Sequence, residues 1–207
     1  ERTLRRLGTQ RLTTRETPVV FVAEVARSLF GNLVNAITGS SLYRNASFLL
    51  DHLGKPIFPA FMHIHEQPLL KKALGSAPYD SEGVATQARD IVTDGILQSY
   101  VLNSYAACKL GMQTTGNAGG VRNLTIDPGN LDLDGLLREM DTGLLVTDLI
   151  GFGVNIVTGD YSRGAAGFWV EGGEIQYPVD EITVAGNLKD MFMGIVAVGN
   201  DVDMRGN

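Results

Sequence analysis

The stretch GFWVEGGEIQYPV, residues 167–179, is the part of the sequence that decides the fold class. Gly172 and Gly173 separate two short runs of mostly aromatic and β-branched residues, 168–170 and 175–177. Two glycines can adopt the positive φ angles that a two-residue hairpin turn requires. The stretch therefore predicts two antiparallel strands joined by a tight turn.

The same kind of signal recurs upstream, in RDIVTDGILQSYVLN, residues 89–103, where Asp94 and Gly95 lie between β-rich arms. Residues 142–170 are apolar, β-branched and interrupted by glycine, a pattern that favours a curved sheet. The chain has 25 glycines in 207 residues. Glycines at this density suit bends and tight turns in a sheet better than long helices.

One amphipathic helix and one further helix are predicted in the remaining sequence. Apolar residues recur at helical spacing through residues 23–38, and Gly39 ends the pattern. A second helix is predicted at residues 133–140. We therefore expect an α+β fold with largely antiparallel, glycine-rich curved sheets and a few helices. No repeat, low-complexity linker or internal boundary interrupts the chain, so residues 1–207 are expected to form a single domain.

The charge balance disfavours binding to nucleic acids. The chain has 17 Lys and Arg against 23 Asp and Glu, a formal charge of −6, whereas nucleic-acid binding needs a concentrated basic face. The arginine-rich start, residues 1–16, is interpreted as the solvated face of a helix. No apolar run is long enough for a membrane span, and the single cysteine, Cys108, fits a cytoplasmic protein without intrachain disulfides.

The stretch FMHIHEQPLL, residues 61–70, raises the question of a metal site. On a strand, His63 and His65 would project from one face, which is how a zinc site can begin. A third ligand would have to be His52, a carboxylate or Cys108. An autonomous metal hydrolase built on His63 and His65 is therefore one hypothesis.

The surrounding residues argue against that hypothesis. The helical peptidase motif needs another histidine a turn after His65-Glu66, but residues 67–70 are Gln, Pro, Leu and Leu, and Pro68 would interrupt a helix there unless it lay in the first turn. The alternative is a surface strand or loop that leads into a short helix at residues 67–74. Because histidine pairs are common and complete ligand sets are rare, we expect no metal here.

Other motifs are weaker. Cys108 has no histidine nearby in sequence and is interpreted as structural. The stretches GNAGG and GFGVNIVTG are glycine-rich, but no Lys-Ser/Thr follows them as in a phosphate-binding loop. Asp80 and Glu82, in PYDSEGV, could form an acid/base pair or a turn with a solvated carboxylate.

Three longer stretches resemble the PmbA/TldD family, specifically its PmbA (TldE) branch. They are LFGNLVNAITGSSLYR at residues 29–44, the segment from PYDSEGV to TTGNAGG at 78–120, and TGDYSRGAAGFWVEGGEIQYPVDEITVAGNLKDM at 158–191. The last is the most specific because of its length and order. The resemblance covers essentially the whole chain and implies the C-terminal part of a longer protein whose N-terminal half is absent.

The resemblance implies a place in a zinc peptidase system. TldD-type members carry a His-Glu-x-x-x-His motif on a helix and bind catalytic zinc. PmbA-type members lack it and pair with a TldD-type subunit in an assembly associated with maturation of microcin-type peptides and breakdown of unfolded or short peptides. The older name, modulator of DNA gyrase, suggests an alternative interaction or regulatory role.

Carried onto this chain, the two ligand positions of the motif hold Phe30 and Asn35, and the general-base position holds Gly31. Phenylalanine has no lone pair, glycine has no base, and asparagine is a poor zinc ligand. The resemblance therefore implies a chain without zinc of its own, inactive without a TldD-type partner that carries the zinc.

Such a subunit would shape the chamber and hold substrate peptides, best by adding the peptide as a strand at a sheet edge. Candidates for lining a substrate cleft are Asp80, Glu82, Asn117, Asp160, Tyr161, Arg163 and Trp169. An alternative for the last four is a turn held by an Asp160–Arg163 pair, with Trp169 in the core.

Overall fold

The structure, a computed structural model, describes residues 4–202 of the chain. Its α-helices are Ala23–Ile37 (α1), Gly39–Leu42 (α2), Ser104–Leu110 (α3), Leu133–Met140 (α4) and Leu188–Met193 (α5), and Leu4–Arg6 forms a short 3₁₀ helix. Its strands are Val19–Phe21 (β1), Ile64–Glu66 (β2), Arg89–Thr93 (β3), Ile96–Leu97 (β4), Leu124–Ile126 (β5), Gly143–Ile150 (β6), Asp160–Glu171 (β7) and Glu174–Asn187 (β8). Within this part of the chain, no helix has the length and apolar character to cross a bilayer.

The strands form two four-stranded sheets. The first has the order β1-β6-β7-β8, with β1 parallel to β6 and the other pairs antiparallel. The second has the order β4-β3-β2-β5 and is antiparallel throughout. Register shifts interrupt the pairing of β6 with β7 and of β7 with β8, and bulges of this kind bend a sheet. Strand β8 is therefore a long outer strand of a curved first sheet.

Two tight hairpins connect neighbouring strands. Asp94 and Gly95, with φ of 50° and 75°, join β3 to β4, and Gly172 and Gly173, with φ of 62° and 75°, join β7 to β8. Positive φ at both central residues is the turn geometry whose twist matches that of the flanking strands. Both predicted hairpins are confirmed.

The main core is formed around α1. Five of its residues, Leu29, Phe30, Leu33, Ala36 and Ile37, are buried, at the spacing of one helical face. The other face remains open, so α1 is amphipathic as its sequence predicts. The apolar face packs against residues of both sheets and of α5, which makes α1 part of the main core.

The predicted α+β class, the largely antiparallel curved sheets, the amphipathic helix and the further helix are confirmed. The helix predicted at residues 23–38 is α1, which ends one residue earlier at Ile37, and the one predicted at 133–140 is α4, with the same bounds.

Two helix predictions are wrong. In residues 1–16, of which 1–3 lie outside the described residues, the only helix is Leu4–Arg6, and residues 9–16 run without helix across the first sheet. Their three threonines disfavour a helix, and contacts with distant strands replace it. Residues 67–74 form turns and no helix, with Lys72 at a φ of 63° that a helix excludes.

Candidate functional site

The zinc-motif positions on α1 do not converge. Phe30 is 9% exposed, and its ring centroid lies 6.1 Å from that of Phe58 in the core. Gly31 and Asn35 are exposed, on the opposite side of the helix from the buried residues. The side chain at position 30 is therefore directed into the core, whereas positions 31 and 35 face solvent.

Strand β7 places Tyr161 and Arg163 against α1. Tyr161 is 2% exposed and belongs to the main core. Arg163 Nη1 donates a hydrogen bond to Ser28 Oγ on α1 at 3.4 Å. Burial raises the pKa of the Tyr161 hydroxyl, and the adjacent Arg163 charge opposes the shift without cancelling it. Tyr161 and Arg163 therefore form a polar contact beneath α1. The raised pKa keeps the Tyr161 hydroxyl neutral.

The two other candidates on β7 face different surroundings. Asp160 is exposed and accepts a hydrogen bond from Thr158 Oγ1 at 2.6 Å. Trp169 is 4% exposed, and its indole Nε1 donates to Glu171 Oε1 at 2.7 Å. All four candidates from this stretch lie within the strand, so the alternative of a turn at residues 160–163 is wrong.

The carboxylates of Asp80 and Glu82 bind backbone N–H groups of different parts of the chain. The Asp80 carboxylate accepts the backbone N–H groups of Glu82, Val84 and Ala118, each at 2.9 Å. The Glu82 carboxylate accepts the backbone N–H of Ser104 at 2.9 Å, at the start of α3. Both carboxylates are therefore occupied by main-chain donors, an arrangement that organises loops.

These backbone hydrogen bonds lower the pKa of Asp80. Burial alone would raise it, but the N–H groups of Ala118, Val84 and Glu82 favour the charged carboxylate, and the pKa lies below its usual value of 3.8. A depressed carboxyl pKa stabilises the fold above the unfolded-state pKa, and that contribution is lost as the pH falls through the lower folded-state value.

We expect the Asp80→Asn variant to have a melting temperature several degrees below that of the unmodified chain at about pH 7 and about pH 5. An amide carries no charge, and its NH₂ would oppose one of the three N–H donors. Below pH 3.8 the difference in melting temperature is expected to shrink, because the native carboxylate itself becomes protonated. Scanning calorimetry against pH measures this.

Glu139→Gln is the matched control, since Glu139 is an exposed carboxylate on α4. Its melting temperature should follow that of the unmodified chain at every pH. An Asp80→Asn difference that persists unchanged in acid would contradict the role assigned to the Asp80 carboxylate.

A buried polar cluster surrounds Glu66, which is 1% exposed. Asn117 Nδ2 donates to both carboxylate oxygens, at 2.8 and 3.1 Å, and the backbone N–H of Arg122 donates to Oε1 at 2.7 Å. Arg89 Nε lies 3.3 Å from Oε2. Burial lowers the pKa of Arg89, and the Glu66 charge opposes that shift. We call these four residues the Glu66 cluster.

The Glu66 cluster includes the cleft candidate Asn117, but its centre was not predicted. In the sequence, Glu66 is read only as the neighbour of His65. Its partner Asn117 is 51 residues away in the chain, so no local spacing connects the two. The tight loop TTGNAGG, with positive φ at its three glycines, presents Asn117 and the following backbone to Glu66.

His63, directly before strand β2, and His65, within it, lie near carboxylates: Asp90 on β3 and Asp127 directly after β5. His63 Nε2 lies 3.2 Å from Asp90 Oδ1, and His65 Nδ1 lies 3.3 Å from Asp127 Oδ1. His52 is elsewhere, with its Nδ1 donating to the Leu50 carbonyl at 2.6 Å. Across residues 4–202, no group of three or more His, Cys, Asp or Glu side chains is arranged to hold a metal ion.

Comparison with known proteins places this fold in one class. The family model described as PmbA/TldA metallopeptidase C-terminal domain matches residues 14–207. The chain is 58% identical to the metalloprotease PmbA of Escherichia coli O157:H7 over 206 residues, which is 100% of this chain and 46% of that protein. The fold is thus that of a metallopeptidase-family C-terminal domain. The chain belongs to the PmbA/TldD family, and it spans about half the length of the curated relatives it matches.

Solved structures of similar proteins have the same fold as this chain. A candidate modulator of DNA gyrase from Bacteroides thetaiotaomicron matches with a TM-score of 0.93 and 36% identity, over 97% of this chain and 45% of that one. TldE from Thermococcus kodakarensis has the same fold, with a TM-score of 0.85 and 24% identity over 96% of this chain and 48% of that one.

The family's zinc can be tested against the residues present. At the positions that the resemblance assigns to the motif, the chain has a buried phenylalanine, an exposed glycine and an exposed asparagine, and none of the three supplies an imidazole or carboxylate. Filling position 30 with a ligand would also remove an aromatic ring from the core. The residues of α1 do not fit a catalytic zinc.

Proposed function

We propose that this chain is part of a PmbA/TldE-like subunit of a TldD/TldE-type zinc metallopeptidase system and that it is itself non-catalytic. The observation that supports this most is that the Phe30 side chain points into the core. At the first ligand position of the zinc motif, the side chain packs against Phe58 in the core. The zinc and the hydrolysis then belong to a TldD-type partner.

In this role the chain shapes the chamber and holds the substrate. An unfolded or short peptide offers few fixed side-chain features, but it always offers backbone N–H and C=O groups, which a sheet edge can pair. Strand β8 supplies an outer edge of 14 residues, whereas the opposite edge strand β1 has three. The long edge is the better peptide-binding element.

Elemental analysis tests the proposal on the full-length protein, purified alone and together with its TldD-type partner. We expect no zinc in the protein alone and about one zinc per pair in the mixture. Peptide hydrolysis should likewise require both proteins. The partner purified alone is the control that assigns the metal to its subunit.

Stoichiometric zinc in this protein alone, with chelator-sensitive hydrolysis, would contradict the proposal. The autonomous hydrolase would then be the better hypothesis, and His63→Ala with His65→Ala would be the first substitutions. If these left the metal content unchanged, that hypothesis would also fail.

A second candidate is an interaction or regulatory module, supported by the similarity to the candidate gyrase modulator of B. thetaiotaomicron. A stable complex with a topoisomerase in the absence of any TldD-type protein would favour it. The formal charge of −6 makes direct binding to DNA its weakest form.

A further inference from the structure

The basic N-terminal segment, residues 4–16, lies across the first sheet, and we call it the strap. It has four arginines and one glutamate, in a chain whose formal charge is −6. The Arg6 guanidinium pairs with Asp148 on β6, and the Arg11 guanidinium pairs with Glu181 on β8. Two arginines of the strap thus reach carboxylates on two different strands.

The strap also contacts β7 and the open edge of the first sheet, which is β8. The Arg15 guanidinium lies 4.9 Å from the ring centroid of Trp169 on β7. Gln10 forms a parallel β-bridge with Val179, and its N–H donates to the Pro178 carbonyl at 2.9 Å. The strap thus forms a backbone hydrogen bond with the outer edge of β8.

A groove of about 300 Å³ continues along β8 beside this bridge. It is lined by Arg5, Phe168, Ile175, Gln176, Tyr177 and Pro178. The groove has room for side chains next to an added strand, and its walls are largely apolar. Backbone pairing, an apolar groove and nearby carboxylates are together what an extended basic peptide requires.

The strap is held weakly enough to be exchanged. The Arg11–Glu181 pair is largely exposed, with 83% and 67% of the two side chains accessible, and the Arg6–Asp148 pair is 43% exposed on each side. Exposed ion pairs contribute little to stability. Leu12 packs against the first sheet and is the main apolar anchor of the strap.

We propose that the outer edge of β8 and the adjoining face of the first sheet form a docking surface for extended, arginine-containing peptide segments. The strap occupies this surface in cis, and a basic segment of another polypeptide displaces it. This inference rests on the proposed function only in taking that segment as a substrate peptide. The strap itself shows the chemistry that the surface accepts.

Fluorescence anisotropy with a labelled peptide of the strap sequence, LRRLGTQRLTTRE, tests the proposal on the full-length protein. The peptide is titrated with the unmodified protein and with an Arg6→Gln, Arg11→Gln, Arg15→Gln variant, in which the competing strap is loosened. Since a surface blocked most of the time has a weaker apparent affinity, we expect the variant to bind the peptide about tenfold more tightly.

Two further substitutions identify the surface. Adding Asp148→Asn and Glu181→Gln to the triple variant should remove most of this gain, because the peptide's arginines lose their carboxylates. Glu174→Gln is the matched control, since Glu174 is an exposed carboxylate on the same strand. It should leave the affinity unchanged, and added salt should weaken binding to the triple variant.

Equal affinity of the peptide for the unmodified protein and the triple variant would overturn the proposal, as would absence of binding to both. If the triple variant does not fold, hydrogen exchange on the unmodified protein replaces it. Saturating peptide should then speed exchange of the Gln10 amide while that of the β7–β8 pairing stays slow. An unchanged Gln10 amide would overturn the proposal. None of these measurements depends on zinc or hydrolysis, so failure here removes β8 as the peptide-binding edge but leaves the proposed assignment of zinc and hydrolysis to a TldD-type partner standing.

Discussion

The Glu66→Ala substitution is expected to lower the free energy of unfolding by about 3–5 kcal/mol, among the largest effects of any single change in this chain. The carboxylate is buried and accepts from Asn117 and the Arg122 backbone, beside the Arg89 guanidinium. Removing it leaves a cation and two donors without their acceptor inside the protein. Urea unfolding followed by circular dichroism measures the loss.

Two variants give this prediction its controls. Glu66→Gln keeps an oxygen for the Arg122 N–H but removes the charge opposite Arg89, so it should fall between the alanine variant and the unmodified chain. Glu174→Ala removes an exposed carboxylate and should stay within about 0.5 kcal/mol. If Glu66→Ala behaved like Glu174→Ala, the Glu66 cluster would not be a structural element.

The Gly95→Ala substitution is expected to cost about 2–5 kcal/mol, as the sum of backbone strain and overpacking. Gly95 has a φ of 75°, and an added Cβ would lie 2.2 Å from the Phe58 carbonyl oxygen and 2.6 Å from that of Pro59. These are main-chain atoms of a buried turn, so the backbone itself must shift. Urea unfolding again gives the free energy.

Gly54→Ala is a closely matched control. Gly54 has a φ of 76°, lies beside the same hairpin through its N–H bond to the Leu97 carbonyl, and has open space where a Cβ would be. It should show the backbone strain alone, about 1–2 kcal/mol. Equal losses for the two alanine variants would mean that close contact at Gly95 adds nothing, contrary to this prediction.

Which glycines tolerate alanine is a tertiary property that the sequence does not reveal. Gly54 and Gly95 have nearly the same φ angle, but main-chain atoms approach only Gly95. The segment that approaches Gly95 is the turn at residues 58–59, brought there by packing of the main core. Only folded coordinates distinguish these two glycines.

The sequence by itself determined the hairpins, α1, α4, the fold class and the resemblance to the family. Asp94-Gly95 and Gly172-Gly173 set their own φ angles within two residues, and the apolar period of α1 is complete within 15 residues. Signals of this kind are local, because turn geometry and helical repeat act between near neighbours.

Only the tertiary structure decided the path of residues 4–16, the burial of Glu66 and the direction in which Phe30 points. The arginines of the strap pair with carboxylates on strands that lie more than a hundred residues away in the sequence, as the Arg6–Asp148 pair shows. Glu66 is buried because a distant loop supplies its donors. These features depend on contacts between remote segments, whose free energy exceeds the weak local preferences that the sequence displays.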